Sequence, residues 1–452
     1  MFDKIIGILK NKEIRLRIFF MIFVFLIIRI CAIIKIPGII LSETINNELQ
    51  KADVLSLINL LGGGGLQNFS IIALGVSPYI TSQIVVQLLG KGILPAVGEL
   101  SKKGEQGRKE NEKAIRFLTL LIAAVQALGV IRMMENKQLI SYQSNFAGYL
   151  NTIIIIVSGT MFMIWLGDQL TAKGLGNGIS NIIFAGCVAN LPTRLKLSMV
   201  KWLFIKRFYG VNNLVLEGVA SFIMYMLFFL LIIIFVVFVE LSKRHVPIQY
   251  TIKSINKESN VAFLPIKINS AGVMPVIFAS SFMSTPSVIA NLISPELGDS
   301  RWLSIFSYNE FTTIFNFRIP VGLIMYMFLV ISFCFFYANL HFSPEQLSED
   351  LQKNASYIPG IRPGKETANY ITQVINRVTF LGAFFLAFIA GLPVVLTLLR
   401  VFGDNEISLS LGGTSLIIIV GVAIELHAQI NGLLAADKAT KEAPAEIRKL
   451  FR

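Results

Sequence analysis

Long apolar runs with few or no charged residues recur along the chain, and they limit the folds that it can adopt. A helix needs about 20 apolar residues to cross a bilayer, so runs of this length predict membrane spans. Ten such runs lie at roughly 18–34, 66–89, 117–131, 146–167, 178–191, 218–239, 270–293, 319–340, 378–399 and 407–424. The runs at 117–131 and 178–191 are shorter than this length, so the spans there must include flanking residues to cross the membrane. With 54% hydrophobic and 15% charged residues overall, we expect an all-α polytopic membrane protein.

The lysines and arginines indicate which loops lie inside. If the amino terminus is cytoplasmic, 27 of the 40 Lys and Arg residues fall in inside segments and 12 in outside segments. Cytoplasmic loops carry such an excess, so both termini are predicted inside. The first run is interrupted by Arg29 and is followed by no small-residue cleavage site, so we interpret it as a span and not as a removed signal. Topology and anionic lipid explain most of the net charge of +13.

Groups that could carry catalysis are sparse. His245, His341 and His427 are far from one another and from any cysteine in the sequence, so no metal site is predicted. Glycine-containing segments at 101–110 and 173–180 lack the spacing of nucleotide-binding motifs. We therefore expect no cofactor and no enzymatic activity. Three cysteines in separate apolar runs are expected to be small core residues: Cys31, Cys187 and Cys334.

The stretch GVSPYITSQIVVQLLG, residues 75–90, is unusual for a membrane span. It combines a proline with polar residues at helical spacing, and four consecutive glycines precede it at 62–65. Pro78 is expected to kink the chain. Irregular backbone at membrane depth is tolerated only against protein or a water-filled cavity. This span is therefore predicted to face protein or a water-filled cavity and not lipid alone.

The residues of this stretch resemble those of a known family. LGVSPYITSQIVVQLL is similar to the second span of the SecY family, the channel subunits of the general protein translocase. Further blocks resemble the same family in the same order, from about residue 15 to 435. They are SKKGEQGRKE, GTMFMIWLGDQLTAKGLGNGISNIIFAG, SKRHVPIQY, LPIKINSAGVMPVIFASS, SYIPGIRPGKETANYI and LGGTSLIIIVGVAIELHAQI.

The resemblance implies ten transmembrane helices in two pseudo-symmetric halves of five, arranged as a clamshell around a central pore. The halves would be 1–212 and 213–452, and the second would carry the cytoplasmic loops 241–269 and 341–370. No internal repeat is evident in the sequence, so this division comes from the resemblance alone.

The family closes its pore with a ring of aliphatic side chains at mid-membrane. A narrow collar of branched, uncharged side chains excludes water and ions by dewetting, and it can still deform around a passing chain. From the pattern alone, packing against lipid or neighbouring helices is the simpler interpretation of such residues. The positions that match the collar are Val76, Ile80, Ile183, Ile277 and Ile418.

The resemblance also assigns a plug, on the outer side of the collar, to residues 62–72. Each glycine lowers helix stability by about 1 kcal/mol relative to alanine, so the four glycines predict a weakly held, displaceable element. A flexible loop with no sealing role is the alternative interpretation. The plug residues are Gly62, Gly63, Gly64, Gly65, Leu66, Phe69 and Ile72.

Two further sets of residues match functional positions of the family. The polar face of span two is expected to meet span seven at a lateral gate that contains Thr81, Gln126 and Asn269. The cytoplasmic docking positions are Lys243, Arg244 and Arg362. Arg362 lies between two prolines and suits a fixed bidentate contact with an acidic or phosphate group. For Lys243, membrane topology alone is an almost equally good explanation.

The resemblance implies partners and a location. The partners are SecE-type and SecG-type small membrane subunits, a SecA-type motor ATPase, the ribosome, signal peptides, nascent chains and membrane lipid. The location is a bacterial plasma membrane, with a plastid membrane as the alternative. Two other classes of function are an ion-coupled transporter and a non-conducting scaffold. The middles of the spans almost lack the charged groups that ion coupling needs, and a scaffold has no use for a plug or collar.

Overall fold

The computed structural model describes residues 11–42, 55, 58–59, 62–90, 104–142, 146–200, 212–250, 261–293, 301–306, 312–314, 317–319, 321–341, 343–398 and 413–442. Parts of three predicted features lie outside these residues. They are the start of the basic segment 101–110, the middle of the loop 241–269 and the start of the run 407–424.

Helices account for each of the ten apolar runs. In chain order the helices are α1 (Lys12–Ile33), α2 (Ser77–Leu88), α3 (Gly104–Asn136), α4 (Phe146–Lys173), α5 (Gly178–Val200), α6 (Asn212–Leu241), α7 (Met274–Ile293), α8 (Val321–His341), α9 (Pro344–Lys353), α10 (Lys365–Leu398) and α11 (Gly413–Glu442). Helix α9 is short and amphipathic, and the other ten coincide with the predicted spans. Eight of the described helices are long and apolar enough to cross a membrane. The prediction of an all-α polytopic membrane protein is confirmed.

Helix α2 differs from what the apolar run at 66–89 predicts. Residues 62–76 form successive turns, and the helix starts only at Ser77. Pro78 lies in the first turn of α2, where its missing N–H would have no helical partner and its fixed φ suits the helix. The predicted kink at Pro78 is therefore wrong, because this proline begins a helix and does not bend one.

The spans carry apolar side chains outside and polar side chains inside. Phe19 of α1 and Phe238 of α6 are each 69% exposed. Large exposed apolar surfaces mark contact with a membrane or another protein. This distribution agrees with a chain that is surrounded by lipid. The buried polar residues of the described spans include Ser82, Thr119, Asn181, Ser280 and Ser281.

Short strands form three antiparallel sheets. Strand β1 (Ile39–Leu41) pairs with β2 (Ile140–Tyr142), and β5 (Thr312–Ile314) pairs with β6 (Phe317–Ile319). The largest sheet has the order β4-β3-β7, in which β3 is Lys243–Tyr250, β4 is Val261–Lys267 and β7 is Ser356–Tyr357. In the β3–β4 register, His245 lies opposite Pro265. Strands β3 and β4 thus lie in the segment 241–269 that follows α6.

Helices α9 and α10 cover one face of the three-stranded sheet. Val246 and Ile248 are buried on β3 while Pro247 between them is exposed, which is the two-residue alternation of a strand with one covered face. Val246 belongs to an apolar cluster with residues of β4, α8 and α10. This cluster fixes the sheet to the beginning of α10.

The chain divides into two compact units. Unit 1 comprises Met1–Leu195, Ser281–Ser307 and Val422–Arg452, and unit 2 comprises Lys196–Ser280 and Tyr308–Gly421. Helices α7 and α11 each contribute to both units. The core of unit 1 contains residues of the predicted plug together with residues of α3, α4 and the end of α7. The predicted symmetric halves, 1–212 and 213–452, stay a prediction.

Candidate functional site

All five predicted collar residues are buried. Val76, Ile80 and Ile183 belong to unit 1, and Ile277 and Ile418 belong to unit 2. None of the five is more than 2% exposed. These side chains therefore do not face lipid, and their role as a collar stays a prediction.

The start of α2 positions two collar residues on one helical face. Val76 is the N-cap of α2, and its carbonyl accepts a hydrogen bond of 3.1 Å from the Ile80 amide. Residues four apart lie above one another on a helix, so the two side chains share a face. The turns before Ser77 thus determine which way this pair points.

The predicted plug, residues 62–72, is compact and buried. The Ser70 amide donates to the Gly65 carbonyl at 2.9 Å, and the Ile71 amide donates to the Ile34 carbonyl beyond α1 at 3.2 Å. Leu66, Phe69 and Ile72 are each at most 1% exposed. The plug is therefore packed into unit 1 along its whole length.

The four glycines of the plug serve close packing and unusual dihedral angles. Gly63 and Gly64 have φ values of +66° and +86°, a region that other L-residues rarely adopt. A Cβ atom on Gly62 would lie 2.8 Å from the Ala73 carbonyl oxygen. The sequence-based argument considered only their weak helix propensity. The structure adds that side chains would not fit, and whether the segment can be displaced stays a prediction.

Polar side chains that the sequence analysis did not assign to the plug hold it in place. Asn59 Oδ1 accepts from the Gln67 amide at 3.2 Å, and Asn68 Nδ2 donates to the Ala32 carbonyl at 3.1 Å. Arg29 Nη1 donates to the Gly63 carbonyl at 3.5 Å. The one available signal in the sequence was Arg29, a charged residue inside an apolar run.

Two of the three predicted gate residues contact each other. Gln126 Nε2, on α3, donates to Thr81 Oγ1, on α2, at 3.4 Å. Thr81 Oγ1 in turn donates to the Ser77 carbonyl at 3.2 Å. Gln126 is buried and Thr81 is half-buried. A long polar contact of this kind holds two helices together less strongly than a packed apolar seam would.

The third gate residue, Asn269, makes its contacts within unit 2. Its Nδ2 donates to Glu240 Oε1 at 2.5 Å and to the Gly272 carbonyl at 3.0 Å. Asn269 and Glu240 are both buried. Nothing in the sequence pattern assigned a role or a partner to Glu240. The hydrogen bond ties the end of α6 to the segment that leads into α7.

We expect the variant Asn269→Leu to lower stability by about 1–3 kcal/mol, because it removes a donor from the buried Glu240 carboxylate. The double variant Asn269→Leu with Glu240→Leu is expected to recover part of this loss, since replacing both partners by apolar groups leaves neither desolvated alone. Thermal unfolding of the purified protein in detergent measures both effects. A double variant less stable than the sum of the two single changes would contradict the coupling.

The three predicted docking residues lie on one platform of unit 2. Lys243 and Arg244 are exposed on β3, and Arg362 is exposed in the loop that follows β7. Strand β7 pairs with β3, where Tyr357 Oη also donates to Gln249 Oε1 at 3.0 Å. The sheet therefore connects the two parts of the platform, which are more than 100 residues apart in sequence.

Hydrogen bonds hold the Arg362 loop in shape. Ser348 Oγ on α9 donates to the Gly364 carbonyl at 2.8 Å, and Thr367 Oγ1 donates to the Arg362 carbonyl at 2.8 Å. The Ile361 amide donates to the Ile358 carbonyl at 3.1 Å. These three hydrogen bonds fix the backbone on both sides of Arg362, which is itself exposed.

Comparison with known proteins agrees with this architecture. The SecY family profile matches residues 70–427. Protein translocase subunit SecY 1 of Lactobacillus kefiranofaciens subsp. kefiranofaciens is 40% identical over 440 residues, which cover 96% of this chain and 98% of that protein.

Solved structures share the fold at lower sequence identity. One solved structure is described as SecY, whose plug domain stabilises the closed state of the translocation channel. It superposes on this chain with a TM-score of 0.67 at 18% sequence identity, and the match covers 96% of this chain and 95% of that chain. Sec61 in the canine ribosome–channel complex from the endoplasmic reticulum gives 0.61 at 18% identity, covering 94% and 93%. The family profile and the relative that matches nearly the full length show that this chain belongs to the SecY family of protein translocase subunits.

Proposed function

We propose that this chain is the protein-conducting channel of the general secretory pathway, which moves unfolded preproteins across the membrane and releases transmembrane segments sideways into lipid. The observation that carries the proposal is the 40% identity, over 96% of the chain, to a protein translocase subunit. The channel would lie in a bacterial plasma membrane with both termini in the cytoplasm, in agreement with the distribution of lysine and arginine.

In this proposal the collar keeps the resting channel closed to ions. Its five positions carry only branched aliphatic side chains, which are buried in the described structure. A constriction of this kind holds no water, so a hydrated ion has no favourable path through it. An unfolded chain can push these side chains apart without breaking any hydrogen bond or ion pair to them.

Lateral release would follow from partitioning between the channel and the bilayer. A leucine at the bilayer centre gains roughly 0.3–0.6 kcal/mol on insertion scales, so ten leucines gain about 3–6 kcal/mol. A hydrophobic signal or anchor segment therefore enters lipid without an energy source once the gate opens. The gate would lie between span two and span seven, on the face of α2 that carries Thr81.

Polar chains gain nothing comparable from crossing, so a partner has to drive them. The exposed platform with Lys243, Arg244 and Arg362 suits an acidic or phosphate-bearing surface. We assign it to a SecA-type motor ATPase and to the ribosome. SecE-type and SecG-type small subunits would complete the complex within the membrane.

Crosslinking of a stalled nascent chain tests the proposal. Cysteines placed at Ile80 and Ile183, in a background without the three native cysteines, are expected to crosslink to a cysteine in a preprotein arrested during translocation. Leu227→Cys on α6 is the matched control, because Leu227 is 64% exposed on the outer surface. Equal crosslinking at all three positions, or none at Ile80 and Ile183, would support a transporter or a scaffold instead.

A further inference from the structure

Polar side chains from two different helices lie close to one turn of the plug. A Cβ atom on Gly64 would be 3.6 Å from Arg29 Nη1 of α1 and 3.0 Å from Asn190 Oδ1 of α5. The neighbouring Gly63 carbonyl accepts a hydrogen bond from Arg29 Nη1 at 3.5 Å. The turn is therefore contacted by two groups that are distant from it in sequence.

Arg29 is in an uncommon position for a cation. It lies within the apolar part of α1, four residues before the helix ends at Ile33. An arginine near the end of a span ordinarily extends its side chain toward the lipid headgroups. Arg29 is exposed as a residue, and its Nη1 atom nevertheless lies within hydrogen-bond distance of the Gly63 carbonyl of the plug.

Asn190 is the second independent observation. The residue is only 8% exposed, and its Nδ2 has no hydrogen-bond partner among the described residues. Buried amide groups are normally paired. Asn190 Nδ2 lies 3.4 Å from the Cβ position of Gly64, so this buried amide faces the turn of the plug.

Main-chain hydrogen bonds also hold the plug, and in its first part the Gly64 amide donates to the Asn59 carbonyl at 2.8 Å. The end of α1 holds the second part of the plug through main-chain hydrogen bonds, from Ile71 to Ile34 and from Ile36 to Phe69. The first part contains the glycines and offers no side chain before Leu66. Contacts to its carbonyl groups and to the Gly64 turn are thus the means by which side chains of the spans can hold it.

We propose that Arg29 and Asn190 are positioning residues that clasp the Gly63–Gly64 turn and keep the plug seated in the resting channel. This inference rests on the proposed function, because a seated plug closes a pore only if the chain is a channel. A translocating chain would break only one long hydrogen bond and one packing contact there. The clasp thus favours the closed state and still yields to an entering chain.

Hydrogen exchange of the full-length channel in lipid-free detergent micelles tests the clasp. We expect Arg29→Leu and Asn190→Ala each to raise the exchange rates of the plug amides, residues 62–72, at least threefold, with amides of α10 unchanged. Arg15→Leu is the matched control, because Arg15 is an exposed cation near the other end of α1. Since no headgroups are present, a role of Arg29 as a lipid anchor predicts no change, and that result would overturn the proposal.

Ion conductance gives a second readout. In planar bilayers, the resting ion conductance of Arg29→Leu channels is expected to be at least threefold higher than that of wild-type channels. The conductance of Arg29→Lys channels is expected to lie between these two values. Equal resting conductance in all three would also overturn the clasp. Preprotein translocation by the wild-type protein tests the proposed function separately. If the wild-type protein translocates a preprotein but the variants leave the exchange rates of the plug amides unchanged, the clasp is rejected and the proposed function stands.

Discussion

Charge reversal at one exposed loop residue, Arg362→Glu, is expected to lower preprotein translocation at least tenfold while the protein stays inserted in the membrane. Arg362 is exposed, and its loop is held by the hydrogen bonds of Ser348 and Thr367 to the backbone. A charged hydrogen bond contributes about 1.5–3 kcal/mol, and 1.4 kcal/mol already corresponds to a tenfold change in binding. Losing the Arg362 contact weakens docking of an acidic partner, and repulsion between the new carboxylate at this position and that partner weakens it further.

The matched control for this prediction is Lys365→Glu. It makes the same change of charge three residues away, at an exposed position that begins α10. An acidic side chain is favourable in the first turn of a helix, so the control is expected to fold normally. Transport of a preprotein into inverted vesicles measures both variants. Normal transport with Arg362→Glu would contradict the docking role, and equal loss in both variants would indicate a general attraction to basic charge.

The second large effect is expected from Gly178→Ala, which should lower the stability of the protein by about 1–3 kcal/mol or more, as overpacking of a filled core does. The Cβ atom would overlap the Gly167 carbonyl oxygen of α4 and lie 2.8 Å from Thr171 Oγ1. Thr171 Oγ1 also accepts the Gly178 amide at 2.9 Å. Because the obstacle is backbone, a side-chain rotation cannot relieve it.

The matched control for Gly178→Ala is Gly432→Ala on α11. Nothing lies within 4 Å of a Cβ atom there, so the change should be neutral or stabilising by up to about 1 kcal/mol through helix propensity. Thermal unfolding in detergent and the yield of folded protein measure both variants. A wild-type transition temperature for Gly178→Ala would show that α4 and α5 separate more easily than their close approach indicates. Helix α5 also carries the predicted collar residue Ile183. We therefore expect Gly178→Ala, which displaces α5, to raise the resting ion conductance as well.

The predicted spans were recoverable from sequence because the bilayer sets one length for every segment that crosses it. The ten apolar runs correspond to helices, and the short run at 117–131 gains flanking residues to become part of the 33-residue helix α3. Strand β3 (Lys243–Tyr250) lies within SKRHVPIQY, one of the blocks that match the family. Each of these features depends on local composition or on a matched block.

The candidate site was only partly predictable. The positions of the collar, plug, gate and docking residues came from matched blocks, and the structure shows that the collar residues are buried and that Thr81 and Gln126 meet. The start of α2 was mispredicted at Pro78, because a proline in an apolar run is compatible with a kink as well as with a helix start. Its first-turn position became visible only once the preceding turns were known.

The sequence by itself determined the class of protein, the apolar runs that become its helices and the family, because these depend on hydrophobic length and on matched residue blocks. The orientation that the charges predict stays a prediction. The tertiary structure alone decided that Asn269 bonds Glu240, that Arg29 reaches the plug, and that Gly178 lies against the Gly167 carbonyl. Such contacts join segments that are distant in sequence, and whether two side chains meet depends on how the chain folds between them. No local pattern in the sequence contains that information.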